Sequence, residues 1–330
     1  MNRIAALICL FGALVGNPFG PLTHAQDLPS WKNTKTREAI LSFVDRVTRE
    51  GSSDYVAPAD RIAVFDNDGT LWVEKPVYNQ LAFAVDRVKA MADEHPEWND
   101  EEPFKSLLAG DLAGVAATGH EGIAKIIGVT HAGVSVEQFE EIVMKWVETS
   151  RHPTLKRRYT ECVYQPQLEL LSYLRDKGFK TFIVSGGGVD FMRPWTNDVY
   201  GIPPEQVVGS MLKSEYQVND GEAQVIKLGE IDFVDDKAGK PVGIHRFIGK
   251  RPILAFGNSD GDFEMIEYTT AQAGPSLGLI LHHDDGEREW AYDRDSSVGR
   301  LVRGLDEADE RNWIIVSMKD DWSTIFPKQD

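Results

Sequence analysis

Arg61-Ile62-Ala63-Val64-Phe65-Asp66-Asn67-Asp68-Gly69-Thr70-Leu71-Trp72 is the stretch on which the reading of this 330-residue chain turns. Ile62 to Phe65 is a short apolar run, the pattern of a parallel strand buried on both faces. It stops abruptly at two carboxylates, Asp66 and Asp68, two residues apart. Gly69 lets the backbone turn away without a steric cost. In an open α/β sheet ligands bind outside the carboxyl ends of the strands, where these carboxylates fall. An ordinary Asx turn would account for the Asp, Asn and Gly taken alone, so the surroundings decide between the two.

Two more apolar runs end the same way. Phe179 to Val184 runs directly into Ser185-Gly186-Gly187-Gly188, and Pro252 to Phe256 into Gly257-Asn258-Ser259-Asp260-Gly261-Asp262. In a parallel sheet, three polar glycine-containing loops after three core strands converge on one edge. Helical spacing marks Thr36 to Glu50, Tyr78 to Ala92 and the segment opened by a Ser135/Gln138 capping box, which puts Phe139, Ile142, Val143, Trp146 and Val147 on one face. Pro166 to Lys177 is a helix begun by proline and closed by Gly178. Val207 to Ile231, with Asn219-Asp220-Gly221, reads as a β-hairpin, and Lys240 to Ile248 as a short helix. Leu277 to Leu281 and Ile314 to Met318 supply further strands, while Pro194 to Val199 is ambiguous. The pattern predicts an α/β fold. Its core is a doubly wound (Rossmann-like) parallel sheet built from 26–78 and 162–330, with a helical cap inserted at 79–161.

Apolar content of 42% and charged content of 26% describe a globular protein, not a disordered one. The 52 Asp and Glu against 35 Lys and Arg exclude nucleic acid and anionic membrane as partners, since both call for a basic surface. Residues 1–25 have the form of a secretory signal peptide: Arg3, the apolar run Ile4 to Val15, and Thr23-His24-Ala25 before Gln26. The run is short for a membrane span and is followed by Gly16, Pro18, Gly20 and Pro21. The expectation is a secreted or periplasmic protein with no membrane attachment after cleavage. Cys9 leaves with the signal, so Cys162 remains alone, without an internal disulfide and expected as a small core residue. Nothing in the sequence bears on oligomeric state.

The three loops resemble the motifs of the haloacid dehalogenase superfamily, in its phosphatase branch and phosphoserine-phosphatase-like group. Asp66 to Thr70 looks like the first motif, Ser185 the second, Lys240 the third, and Gly257 to Asp262 the fourth. The resemblance spans about 60–270. It implies Asp66 as nucleophile, Asp68 as general acid and base, and Ser185, Gly186 and Lys240 as phosphate-binding residues. It also implies Mg²⁺ held by Asp66, the Asp68 backbone carbonyl and a fourth-loop residue. Here the chain departs from the usual pattern, having Asn258 where an Asp is common, with Asp262 as a further metal-site acid and Asp260 as a rival ligand. Lys213, Lys227 and Lys237 are alternatives to Lys240.

The physical logic stands beside the resemblance. A phosphate ester already carries negative charge, so its cleavage needs a nucleophile, a proton donor for the leaving oxygen and positive charge around the phosphoryl group. A carboxylate can attack and split the reaction into two steps through an aspartyl-phosphate. A second carboxylate nearby has its pKa raised by the first and can serve as acid and base. The expected activity is an exported Mg²⁺-dependent phosphomonoesterase acting on a small phosphorylated substrate. The alternatives are a pyrophosphatase or dehalogenase of the same superfamily, or a non-catalytic anion-binding member. Asp68 argues against carbon–halogen chemistry, which needs no acid for an alkoxide.

Other residues carry weaker signals. His282-His283-Asp284-Asp285 could hold a transition metal, but its charge reads as an exposed loop. Arg151, Lys156, Arg157 and Arg158 could bind a second anionic group or form a solvated helix end. Glu74, Lys75, Tyr78, Asp190 and Arg193 are candidates to line the pocket. Trp98, Trp146, Trp195 and Trp290 are expected in the core.

Overall fold

The computed structural model describes residues 28–328, so the signal peptide expected at 1–25 lies outside the described residues. From its start, α1 (Lys35–Thr48) leads to β1 (Ile62–Phe65). Helices α2 (Asn79–Met91), α3 (Phe104–Leu108), α4 (Leu112–Ala117), α5 (Gly119–His131) and α6 (Val136–Thr149) follow. Then α7 (Gln165–Asp176) returns the chain to β2 (Lys180–Gly188) and α8 (Val189–Tyr200). The hairpin β3 (Val207–Asn219) and β4 (Glu222–Phe233) precedes α9 (Gly239–Gly243), a π-helical turn at Ile244–Ile248, and β5 (Leu254–Gly257). The chain ends with α10 (Phe263–Thr270), β6 (Leu277–Asp284), β7 (Ala291–Tyr292), α11 (Arg303–Glu307), β8 (Ile314–Ser317) and α12 (Met318–Asp321).

The sheet runs β4-β3-β2-β1-β5-β6, with β7 and β8 both on β6. The pairs β1–β2, β2–β3, β1–β5, β5–β6 and β6–β8 are parallel, while β3–β4 and β6–β7 are antiparallel. This is the expected doubly wound α/β core. After β1 the chain goes to β2 on one side, while β5 lies on the other, so the loops leaving β1 and β5 diverge and open a crevice.

Burial on both faces explains the unbroken apolar runs. Ala63, Phe65, Ile183, Leu254 and Phe256 enter one core, while Ile62, Val64, Phe182, Val184 and Ala255 enter the other. A smaller third core lies within the helices between β1 and β2, where Trp98 stacks on His95 and Phe104 at 4.2 and 4.5 Å. The capping box of α6 is formed: Gln138 N–H donates to Ser135 Oγ at 3.2 Å and Ser135 N–H to Gln138 Oε1 at 3.0 Å. The hairpin turns at Asp220 and Gly221, both with positive φ, as the Asn-Asp-Gly signal requires. Its outer strand is in turn bonded to the helical segment, through Gly133 N–H to Lys227 O at 2.9 Å and Lys227 N–H to Val134 O at 3.0 Å.

Several local expectations are corrected. Ser185 to Gly188 is part of β2 rather than a loop after it. Ser185 and Gly188 oppose Gly209 and Ser210 of β3, so Gly186 and Gly187 form a bulge. The ambiguous Pro194 to Val199 lies inside α8, which keeps its helical form because Val189, Met192, Trp195, Thr196 and Tyr200 bury one face. The helix read at Lys240 to Ile248 is one α-turn followed by a π-turn. Trp98, Trp146 and Trp195 are buried, but Trp290 is half-exposed beside the His152 ring. Cys162 is a buried free thiol, and burial pushes its pKa to about 12, which leaves it unreactive. Among the described residues no helix is long and apolar enough to cross a membrane.

Candidate active site

Asp66 is the first residue beyond β1, fixed by its N–H donating to Phe256 O at 2.9 Å. Its Oδ1 accepts from Lys240 Nζ at 2.6 Å. The same ammonium donates to Asp262 Oδ1 at 2.5 Å and Val184 O at 2.9 Å. Lys240 is 2% exposed, and its three donors meet three acceptors, so the charge is fully satisfied inside the core. Burial works against that charge, but the Asp262 and Asp66 carboxylates outweigh it and hold the pKa above the usual lysine range. Burial and the Asp262 charge in turn push Asp66 well up, against the pull of Lys240. Lys213 and Lys227, considered as substitutes for Lys240, pair instead with Glu230 and Asp190.

Asp68 is half-buried, with Oδ1 accepting from Trp72 Nε1 at 2.9 Å. Burial raises its pKa to about 6, the Trp72 hydrogen bond opposing the shift. Its other oxygen faces the β2 bulge: a methyl built on Gly187 would lie 3.7 Å from Asp68 Oδ2 and 3.4 Å from Ser185 Oγ. Ser185 is buried and its Oγ accepts from Gly187 N–H at 3.1 Å, with Gly186 exposed beside it. Gly69 is needed for two reasons: its φ is +76°, and a side chain there would strike Asn258 and Glu74.

The fourth loop is held from within. Asp262 Oδ2 accepts from the N–H groups of Asn258 and Ser259 at 2.9 and 3.0 Å, while Oδ1 holds Lys240. Asn258 accepts from Thr70 Oγ1 at 3.1 Å and donates through Nδ2 to Glu74 Oε1 at 2.8 Å. Asp260, the rival ligand, turns away and accepts from Val302 and Gly304 N–H at the start of α11. Glu74 is 1% exposed and also accepts from Tyr292 Oη at 2.7 Å. Burial pushes its pKa well above the usual range, and the Asp68 and Asp66 charges add to the shift.

His282 to Asp285 is not an exposed loop. His282 to Asp284 end β6, and His283 and Asp285 are buried. His283 Nε2 donates to Gly69 O at 2.8 Å and Nδ1 faces the fully buried Glu289 carboxylate at 3.2 Å, so this pair steadies the Asp66–Thr70 turn. The basic cluster lies elsewhere, Arg158 with Glu161 and Arg157 over the Phe326 ring.

A second feature that the sequence did not reveal ties α2 and α5 to the bulge. Gly188 N–H donates to Gln80 Oε1 at 2.7 Å, and Gln80 Nε2 meets His131 Nε2 at 3.0 Å. Thr130 Oγ1 gives its hydrogen to Ile126 O at 2.6 Å and so accepts from His131 Nδ1 at 2.7 Å. The donors all point one way, which leaves His131 neutral. Burial, with the Lys227 and Arg87 charges, pushes its pKa down to about 3. The unfolded chain takes up a proton there near pH 6.5 and the folded one does not. Stability supplied by His131 is therefore present above pH 6.5 and falls as pH drops towards 3, by up to about 1.4 kcal/mol per pH unit. His131→Gln should flatten that slope in denaturant titrations between pH 6.5 and pH 4.

The family description of haloacid dehalogenase-like hydrolases matches residues 63–267. The chain belongs to the haloacid dehalogenase-like hydrolase family. It is similar in fold to a conserved, functionally unknown protein from Anaerococcus prevotii DSM 20548, with 16% identity and a TM-score of 0.51 over 76% of this chain and 86% of that one. A protein of unknown function from Bordetella pertussis Tohama I shares 15% identity, with a TM-score of 0.44 over 78% and 97% of the two chains. A phosphoserine phosphohydrolase-like protein from Francisella tularensis subsp. tularensis SCHU S4 shares 16%, with a TM-score of 0.39 over 76% and 98%. Comparison with curated proteins gave no match.

Proposed function

We propose that this hydrolase is an exported Mg²⁺-dependent phosphomonoesterase acting on small phosphate esters. The observation that carries the reading is the buried Asp66–Lys240–Asp262 arrangement with Asp68, half-exposed, two residues beyond the first carboxylate. The form of residues 1–25 supports export, and the helices between β1 and β2 are proposed as the cap over the site.

Donor chemistry supports a hard cation. Asp66, Asp68, Glu74 and Asp262 set four carboxyl groups against one ammonium, and the pKa values of the first three are raised by burial first and then by neighbouring carboxylates, Asp262 acting on Asp66 and Asp68, and Asp68 and Asp66 on Glu74. Among the described residues no three His, Cys, Asp or Glu side chains gather closely enough to hold an ion by themselves. An ion here would use Asp66, the Asp68 carbonyl and the Asn258 amide oxygen, with water and phosphate completing its shell, a habit of Mg²⁺. Asp262, with both oxygens committed, would act through Lys240 and the loop. When bound, Mg²⁺ supplies positive charge for the phosphoryl oxygens.

The chain's own residues account for the proton and bond traffic. The Asp66 carboxylate attacks phosphorus, forming an aspartyl-phosphate as the bond to the leaving oxygen breaks. Asp68 gives its proton to that oxygen, then takes one from the water that attacks the intermediate and releases phosphate. Ser185 and the Gly186–Gly187 bulge hold the phosphoryl oxygens, and Lys240, bonded to Asp66, supplies positive charge beside them. Mature protein from Gln26 should release p-nitrophenol from p-nitrophenyl phosphate with Mg²⁺ and not after EDTA treatment. Release that is indifferent to EDTA would remove the cation, and no release would remove the phosphatase reading.

Glu74 and Asn258 give a more specific expectation. Glu74 places a further carboxyl group directly behind the amide at 258. Asn258→Asp would set two carboxylates face to face across a 2.8 Å contact, so one must hold a proton or the loop must shift. The single Asn258→Asp change should lower stability and leave Mg²⁺ affinity no better. Asn258→Asp combined with Glu74→Gln, which restores one charge and one amide donor, should recover both, as measured by calorimetry and thermal melting.

A further inference from the structure

A cavity of about 260 Å³ lies against the β2 bulge, with Gln80, Gly186 and Gly188 on its wall. Gln80 links this wall to Asp68: Gln80 Oε1 would lie 3.5 Å from a methyl on Gly187, and Asp68 Oδ2 3.7 Å from the same methyl. An alkoxide protonated by Asp68 would therefore carry its substituent into this space. Resting on the phosphatase reading, we infer that the enzyme selects phosphate monoesters of uncharged, apolar alcohols: alkyl or aryl esters rather than amino-acid, aminoalcohol or sugar phosphates.

Each polar side chain on the wall has a partner inside the protein. Gln80 and His131 belong to the one-way hydrogen-bond chain, and His131 is neutral within it. The buried Lys227 ammonium pairs with Asp190 and lies 4.8 Å over the Phe139 ring. Ser210 Oγ donates to Gly186 O at 2.8 Å and accepts from Asp235 N–H at 3.0 Å. What remains is Ile123, Ile127, Met211, Leu212, Ile231 and Val234. A carboxylate or ammonium placed among them would lose water and meet only an ion pair that is already neutralised, which costs more than a hydrocarbon gains. Apolar contact alone can reward a leaving group here, at about fourfold per buried methylene.

The test is kcat/KM for ethyl, butyl and hexyl phosphate against phosphoserine and glycerol 3-phosphate, in Mg²⁺, since all leave as primary alkoxides. A rise of about tenfold or more from ethyl to butyl is expected, together with at least a tenfold preference for butyl phosphate over phosphoserine. Ile127→Asn should reduce that preference, mainly by raising KM for butyl phosphate. Phosphoserine or glycerol phosphate turned over as well as butyl phosphate would overturn the inference and leave the phosphatase reading standing. If no ester is cleaved, calorimetry with butylphosphonate and with the phosphonate isostere of phosphoserine decides the matter. Preferential binding of butylphosphonate would then uphold the cavity's selectivity while the phosphatase reading fails, and equal or weaker binding would overturn the inference as well.

Discussion

Asp66→Asn should abolish turnover, by at least about 10⁴-fold, with the protein still folded. An amide cannot attack phosphorus, and Asp68, bonded to Trp72 Nε1, is placed to handle the proton of the leaving oxygen. The fold should survive because the Asn oxygen can still accept from Lys240, and Asp262 continues to neutralise that ammonium. Circular dichroism and the melting curve of the variant should match wild type to within about 1–2 kcal/mol. Acid quenching during turnover of ³²P-labelled ester should trap label on the wild-type chain and none on the variant. Turnover within tenfold of wild type would remove Asp66 as the nucleophile.

Lys240→Met should damage both stability and rate. The ammonium is the common partner of two carboxylates and the Val184 carbonyl, all buried. Removing it leaves negative charge in the core without compensation, a change that costs about 3–5 kcal/mol. Urea unfolding of the metal-free variant at pH 7 should show a deficit of that size. Activity should fall by about 10³-fold even where the variant is folded, because positive charge aimed at the phosphoryl oxygens is lost. A variant as stable as wild type would mean that the two carboxylates are neutral in the folded protein.

The contrast between Asp66 and Lys240 shows what the sequence could disclose. Asp66 was legible because a parallel strand buried on both faces is written as four consecutive apolar residues, and the residue after the last of them must lie at the sheet's edge. Lys240 sits in Lys-Ala-Gly-Lys-Pro, which by itself reads as an exposed turn, and only the family resemblance singled it out. Its burial depends on acceptors from β1, β2 and the fourth loop, none of them near it in sequence. His283 was hidden for the same reason: two histidines and then two aspartates look solvated until Gly69, Glu289 and Tyr292 are found around them. The β2 bulge was hidden because three glycines suggest a loop, and only the register against Gly209 and Ser210 makes them part of a strand. The Gln80–His131 chain joins three distant segments, and no local pattern announces such a contact.

The two backbone bonds between Lys227 and the Gly133–Val134 segment fasten the helical insert to the outer hairpin strand, away from its covalent connections. An insert tethered only at its two ends could swing like a flap, but this one is latched. Swinging the insert away from the hairpin would break that short ladder. The Lys227 amide, which donates one of the two bonds, thereby becomes a reporter: its hydrogen-exchange protection would measure the free energy of opening the insert from the hairpin.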